Sequence, residues 1–484
     1  MNNPLVKIAG VAFAALAANF TMSAQGLQTR LIEGRVLADG KGVENVAVTD
    51  GLNIVRTAAD GSYSILTYAD TRFVYITTPS GYEVEVKDST IPQFYKEIAE
   101  TDNYDFHLTR SALDSNHHVF FVHADAQVTS EDDLRQYSDV VADNIELSQS
   151  YAGLKQLAFD CGDIVGDSPW LFPGYVETIK PLNLPVYRAI GNHDMTYGGR
   201  TYETSYSTFE TFFGPNHFSY DCGQAHYIVL DDIFYAGYGI NYIGYVPEQT
   251  FRWLEQDLAG VSKDKLVFVF FHIPTAMRSD YAENPSRRTP VSNVRQFHEL
   301  FKGYNTHLIS GHMHSNRNME YTDSLYEHNV AAACGTWWRT EECMDGAPRG
   351  YAVFEVDGTD VTWYYKSSGY DRDYQMRVYA PGETEEHPAD VVANVWNYDS
   401  AWKVELLENG TKTADMVQFT GYDPISKAHC SDREVVLYDW ISPHPNGHMF
   451  HATPTIEGSK RQVRVTDRFG RVFITDVIPN QYKY

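Results

Sequence analysis

Gly191-Asn192-His193-Asp194 follows an apolar run, residues 184–190, that reads as a buried strand. A glycine there lets the backbone turn sharply. An amide, an imidazole and a carboxylate then stand at a strand's C-terminal end, where α/β proteins bind their ligands. Taken alone, the stretch describes an ordinary Gly-Asn turn equally well. Its surroundings change that. Between Val119 and Ser310, short apolar runs alternate with segments whose apolar residues recur at helical spacing. The pattern predicts strands at 119–122, 157–159, 186–190, 227–230, 266–271 and 307–309, and helices at 134–147, 251–258 and 294–301. This is a layered α/β domain, and unbroken runs such as Val267-Phe268-Val269-Phe270-Phe271 suit strands covered on both faces. Five strands end in metal-ligand residue types: Asp125-Ala126-Gln127, Gly162-Asp163, Gly191-Asn192-His193-Asp194, His272 and Gly311-His312-Met313-His314. Each is weak by itself, since an Asp after a strand is usually a turn residue and a lone His a satisfied polar group. Five in order on one sheet edge form a constellation.

At 484 residues the chain exceeds a single core, which seldom grows beyond ~250–300 residues. We divide it into a leader at 1–24, a β-sandwich domain at 25–112, the α/β domain at 113–382 and a second all-β domain at 383–484. The leader has one charge, Lys7, then an apolar run at 8–18 and the small pair Ser23-Ala24, the pattern of a secretory signal peptide. The protein is therefore expected to be exported, periplasmic or secreted. The apolar run is too short to span a membrane, which takes about 20 residues, and no later run is longer, so stable membrane insertion is not expected. With 38 Lys and Arg against 64 Asp and Glu the net charge is −26, a field that repels nucleic acid and anionic membrane. Five cysteines without CxxC spacing argue against structural zinc, and Cys334 with Cys343 is the nearest pair for a disulfide. Before the α/β domain, β segments at 32–37, 46–48, 62–65 and 73–77, with turns at Gly42 and Asp60-Gly61, predict a small antiparallel sandwich. After it, strands at 330–333, 351–354 and 361–365, the last two turned at Asp357-Gly358, complete the α/β sheets. The acidic Glu383-Thr384-Glu385-Glu386 leads into a tail with β runs at 402–406, 462–465 and 472–474.

The ordered set Asp-x-His/Gln, Gly-Asp, Gly-Asn-His-Asp, His, Gly-His-x-His resembles the signature of the calcineurin-like metallophosphoesterases, over about residues 119–368. The first β domain resembles the Ig-like, carboxypeptidase-regulatory-like modules of exported bacterial enzymes, and the tail, with residues 369–382, resembles the extension of that same bacterial subset. The resemblance implies a four-layer α-β-β-α metallophosphoesterase sandwich flanked by two all-β domains, and a dinuclear metal-dependent hydrolase of phosphate mono- or diesters. One metal would be held by Asp125, Gln127, Asp163 and His314, the second by Asp163, Asn192, His272 and His312. Asp163 would bridge them, at the ~3.5–4 Å separation of two-metal hydrolysis. Water bound by both cations would attack phosphorus in line. His193 would protonate the leaving oxygen and Asp194 would orient His193, making these two the catalytic pair. The partner implied is a small phosphorylated substrate.

Two departures qualify the resemblance. Gln127 stands where the family usually has His; an amide oxygen is a harder ligand than imidazole, which favours Mn, Fe or Mg over Zn. The usual Gly-Asp-x-x-Asp has Gly166 at its last position and Asp167 one further on, which puts the support around Asp163 in doubt. Gly166 also occupies the place of the iron-binding tyrosine of purple acid phosphatases, which argues against that subgroup. Elsewhere a structural reading is the default. Trp337-Trp338-Arg339 reads as a buried aromatic pair with a surface Arg before it reads as a cleft lining, and Arg278, Arg287 and Arg288 as solvated loop charges before a phosphate clamp. His444, His448 and His451 are scattered loop histidines before they are metal ligands, while Tyr197, Tyr202 and Tyr206 sit where a lid or substrate wall could form. Three rival classes stay open. A metallo-β-lactamase-like hydrolase lacks its His-x-His-x-Asp-His here, because Ser315 and Asn316 follow His314. A nuclease is opposed by the charge. The third is an exported glycan- or partner-binding protein with a lapsed phosphoesterase site.

Overall fold

The computed structural model describes residues 28–275, 289–436 and 438–482. The leader expected at 1–24 and the arginines Arg278, Arg287 and Arg288 lie outside them. The α/β domain begins with β1 (His117–His123), α1 (Glu131–Gln149), β2 (Lys155–Asp160), α2 (Phe172–Ile179) and β3 (Val186–Arg188). It continues through β4 (Phe218–Cys222), β5 (Ala225–Val229), α3 (Glu248–Ala259), β6 (Leu266–Phe270), α4 (Val294–Leu300) and β7 (Asn305–Ser310). The last strands are β8 (Arg317–Thr322), β9 (Leu325–Asn329), β10 (Gly350–Asp357) and β11 (Asp360–Ser367).

These strands make two sheets, ordered β3-β2-β1-β10-β11 and β4-β5-β6-β7-β9-β8. In the first, β1, β2 and β3 run parallel and the β10–β11 hairpin closes one side. In the second, β5, β6, β7 and β9 run parallel between antiparallel edge strands. Every residue of β6 is buried, as an unbroken apolar run requires of a strand covered on both faces. Aromatic rings fill the space between the sheets: Phe159 of β2 stacks on Phe270 of β6, with centroids 3.8 Å apart. The helices cover the outsides. Ser130 starts α1 by accepting from Asp133 N, and the buried stripe of that helix meets β1, where His123 sits between Tyr137 Oη (2.8 Å) and Asn144 Oδ1 (3.1 Å). On the far side, Asp257 of α3 reaches His226 of β5 at 2.8 Å and Phe297 of α4 packs on Phe271. The result is a four-layer α-β-β-α sandwich with the C-terminal ends of its parallel strands together at one rim.

Residues 330–333, expected as a strand, are not one. The small run leaves β9 and threads between the two sheet edges, with Val330 N donating to Ser310 O (2.8 Å) and Ala333 N to Ala124 O (2.8 Å). The expected Cys334–Cys343 disulfide is absent as well: the five cysteines are free and buried, Cys334 Sγ lying 3.8 Å from His314 Nδ1 while Cys343 Sγ turns to Ala332 O.

The N-terminal domain has two main sheets. It is not purely antiparallel, because Phe106–Arg110 returns beside Thr29–Ala38 in parallel register, Val36 opposite Phe106; alternation in sequence says which face a residue takes and nothing about strand direction. The C-terminal domain starts before the boundary expected at 383, because Arg377–Tyr379 joins Val391–Asn394, Asn446–Ala452 and Val417–Gly421 in one sheet; four strands between Lys403 and Asp476 form another. It is β-rich rather than all-β, since α5 (Pro424–Ser431) interrupts it. Asp423 accepts from Ile425 N and Ser426 N at 3.1 Å each and Pro424 opens the first turn, a start signal present in the sequence. Among the described residues no helix is long and apolar enough to cross a membrane.

Candidate metal centre

Three of the five strand ends that carry candidate ligands adopt a backbone conformation that side chains seldom take. Asp125, Gln127, Asp163, His312 and His314 have φ of +51°, +38°, +53°, +69° and +48°. Such left-handed residues cost about 1–3 kcal/mol each and persist where their surroundings over-determine them. Glycines bring the strand ends into contact. Gly191 is extended (φ −104°, ψ 172°), so its role is close approach and not the sharp turn expected of it: a Cβ there would lie 2.1 Å from Asp163 Oδ1. A Cβ on Gly311 would lie 2.6 Å from Asp125 Oδ2.

All seven side chains expected as ligands converge at this rim. Asp163 Oδ2 lies 3.0 Å from His272 Nε2 and accepts from Gln127 Nε2 at 2.8 Å, while Oδ1 accepts from His193 N at 2.7 Å. His272 Nε2 is also 3.1 Å from Asn192 Oδ1 and 3.1 Å from His312 Nδ1. On the other side, His314 Nε2 faces Asp125 Oδ1 at 3.5 Å, and Asp125 Oδ2 accepts from His312 N at 2.8 Å.

The donor chemistry fits cations. His272 Nδ1 donates to Cys161 O (2.7 Å) and His314 Nδ1 to Gly335 O (3.2 Å). A carbonyl can only accept, so the proton of each neutral ring sits on Nδ1 and the Nε2 lone pair faces the site, the arrangement of metal-ligating histidines. Around His272 Nε2 a carboxylate oxygen, an amide oxygen and a second imidazole nitrogen then crowd within 3.1 Å. One N–H could serve one of them, whereas a cation serves all. On the Asp125 side, Gln127 Oε1 and His314 Nε2 are buried without a hydrogen-bond partner among the described residues, and unsatisfied buried polar atoms are rare outside functional sites. Electrostatics agree: burial pulls the His272 pKa down, but the Asp163 carboxylate overrides it and lifts it to about 10, while burial and the neighbouring His272 push His312 well below its usual value. The Asp163 carboxylate thus favours positive charge at His272.

His193 stands apart from the ligands, 28% exposed at its side chain, with Nε2 3.9 Å from Asp163 Oδ2. Its Nδ1 pairs with Asp167 Oδ1 at 3.0 Å, and Asp167 N donates to His193 O. Burial would lower its pKa, yet Asp163 and the Asp167 hydrogen bond leave it raised. Asp194 does not orient His193 as expected. The short 3₁₀ turn over Asn192–Asp194 sends its carboxylate back beneath the turn, where it accepts from Gly191 N (2.8 Å) and Val165 N (2.9 Å). It is fully buried and, with the Asp163 charge nearby, its pKa is pushed up to about 7. Asp194 therefore clamps two ligand loops together, and Asp167, which the sequence presented as a displaced acid, holds the imidazole.

Several supports had weak sequence signals or none. Asp232, at the same rim after β5, accepts from His272 N and Ile273 N; its place at a strand end was the available signal. Trp338 donates to Ala126 O (2.8 Å) and steadies the Asp125–Gln127 turn, while Trp337 stacks on His314. Of the tyrosines, Tyr197 donates to Asn192 O and Tyr202 to Asp231, so they brace the rim. His444, His448 and His451 do not meet at one point: His448 binds Asn394 and Asp345 and His444 N donates to Met344 O, while His451, bonded to Asp390 and stacked on His387 with centroids 3.6 Å apart, completes with them a group of three that could hold a cation.

Family models match the chain along most of its length. The N terminal of calcineurin-like phosphoesterase matches residues 30–111, calcineurin-like phosphoesterase residues 154–316, and the C terminal of calcineurin-like phosphoesterase residues 327–473. Asp125 and Gln127 precede the central match. No curated protein matches. Similar solved structures include a dimetal phosphatase from Danio rerio (12% identity, 52% of this chain and 96% of that one, TM-score 0.39). A purple acid phosphatase from yellow lupin has 12% identity over 72% of this chain and 66% of its own, with a TM-score of 0.36. A 5'-nucleotidase from Candida albicans has 13% identity over 54% of each chain and a TM-score of 0.33.

Proposed function

We infer that this chain, which belongs to the calcineurin-like phosphoesterases, hydrolyses phosphate mono- or diesters of small molecules at a dinuclear metal centre. Asp125, Gln127, Asp163 and His314 would hold one divalent cation and Asp163, Asn192, His272 and His312 the other. The observation that carries this reading is the convergence of Asp163, Asn192 and His312 on the His272 lone pair within 3.1 Å. The amide oxygens of Asn192 and Gln127 make the donor set hard, which favours Mn, Fe or Mg over Zn. When bound, two such cations supply Lewis acidity to the phosphoryl group and acidify water.

The protein's own residues then do the following. Asp163, fixed by His193 N on one oxygen and Gln127 Nε2 on the other, would be the carboxylate shared by both ligand sets. His193, held through Nδ1 by Asp167, with its pKa raised by Asp163 and the Asp167 hydrogen bond against the effect of burial, would present Nε2 to the leaving oxygen and deliver a proton there. The acidic surface does not oppose an anionic substrate, because the two cations supply the local positive charge. The complete donor set speaks against a lapsed site that retains binding alone.

A metal-reconstituted screen against mono- and diester panels tests the reading. Asn192→Ala is expected to lower bound metal, whereas His193→Ala should keep the metal and lower kcat by a factor on the order of 10². Full turnover in both variants would overturn it.

A further inference from the structure

We propose that the centre acts on phosphoesters whose alcohol part carries a planar aromatic ring, received by a tryptophan corner that the α/β and C-terminal domains build together beside His314. The proposal deepens the phosphoesterase reading and rests on it. Trp337 lies flat on the His314 imidazole, with centroids 4.2 Å apart and planes 21° from parallel. Trp440 meets Trp337 at a right angle, 4.5 Å away, and Tyr438 lies along Trp440 at 5.3 Å. Trp440 is 60% exposed, a large apolar surface left in solvent two rings from a metal ligand.

Two further observations say that this corner is built. Trp337 and Trp338 are consecutive left-handed residues, with φ of +48° and +61°, a conformation that bulky side chains avoid unless it is enforced. Trp338 enforces it through its buried ring and its bond to Ala126 O, which leaves Trp337 facing His314. From the other domain, the Tyr438–Trp440 loop is anchored by buried Val436 and Ile441, and Arg433 Nη1 donates to Tyr438 O (3.0 Å) and Ile441 O (3.2 Å). A phosphoryl group seated on the centre sends its ester substituent outward along the rim. There a flat ring gains aromatic stacking and a ring-free alcohol gains nothing.

The test uses the metal-loaded full chain. Equilibrium binding of phenylphosphonate and methylphosphonate is compared in the wild type, Trp440→Ala and Trp440→Phe, together with kcat/KM for phenyl phosphate, adenosine 5'-phosphate and glycerol 2-phosphate. The wild type is expected to prefer the ring-bearing probe by about 10-fold, Trp440→Ala to lose that preference and Trp440→Phe to keep most of it. A greater loss with the adenosine ester assigns a nucleoside, and with the phenyl ester an aryl group. Equal effects on ring-bearing and ring-free probes, or no preference in the wild type, would overturn the proposal. Ring-selective binding without turnover of any ester would instead sink the phosphoesterase reading and leave the corner standing.

Discussion

Asp167 and Asp194 are both carboxylates near His193, and what separates them is direction. Asp167 spends its oxygen on the imidazole; Asp194 spends both of its oxygens on backbone N–H groups. Their substitutions should therefore fail differently. Asp167→Ala is expected to keep metal content and melting temperature while lowering kcat about 10-fold, through the lost orientation of His193. Asp194→Ala strands two buried N–H groups at about 1–3 kcal/mol each, so it should lower stability and metal occupancy together. Metal analysis and thermal melts of the two variants check this, and the same phenotype for both would contradict the assignment. The residue types of the site were legible because each follows a strand. The pairing of acid with histidine was not, because a 3₁₀ turn reverses a side chain within three residues.

At the scale of elements, the five strand ends that carry the candidate ligands depend on what lies beneath them. One support is His226 of β5, buried between Asp221 (3.0 Å) and Asp257 of α3 (2.8 Å). Burial would depress its pKa, but the two carboxylates raise it to about 10. A histidine raised above its unfolded value near 6.5 contributes stability that is full below that pH and is lost as pH rises through the folded value. Denaturant melts should accordingly place His226→Gln furthest below the wild type at pH 6, with the gap closing by pH 10. A gap independent of pH would show that the ion pairs contribute nothing. Long periodic elements such as α1 and α3 were readable from spacing. The run at 330–333 was misread because its small apolar residues serve close backbone approach between sheet edges, and apolarity alone does not separate that from a strand.

At the scale of the molecule, the flanking domains are part of the same body. Phe94 packs on Phe218 at 4.5 Å, Trp253 Nε1 donates to Thr49 Oγ1, and Val186 N donates to Thr90 O, so the N-terminal domain shares the core that carries β3 and α3. A chain beginning at Asn116 should thus melt well below the full-length protein or aggregate, and calorimetry of the full-length protein should give no separate N-terminal transition; an intact, active truncation would refute this. The sequence by itself determined the order of the strand-end motifs and the α/β layering, because strand period and residue chemistry are local properties. Only the tertiary structure decided that Gly191 serves close approach, that Asp167 and not Asp194 holds His193, and that the C-terminal domain sends Trp440 to the rim. Those facts depend on which surfaces meet, and packing between segments far apart in the chain leaves no period to read.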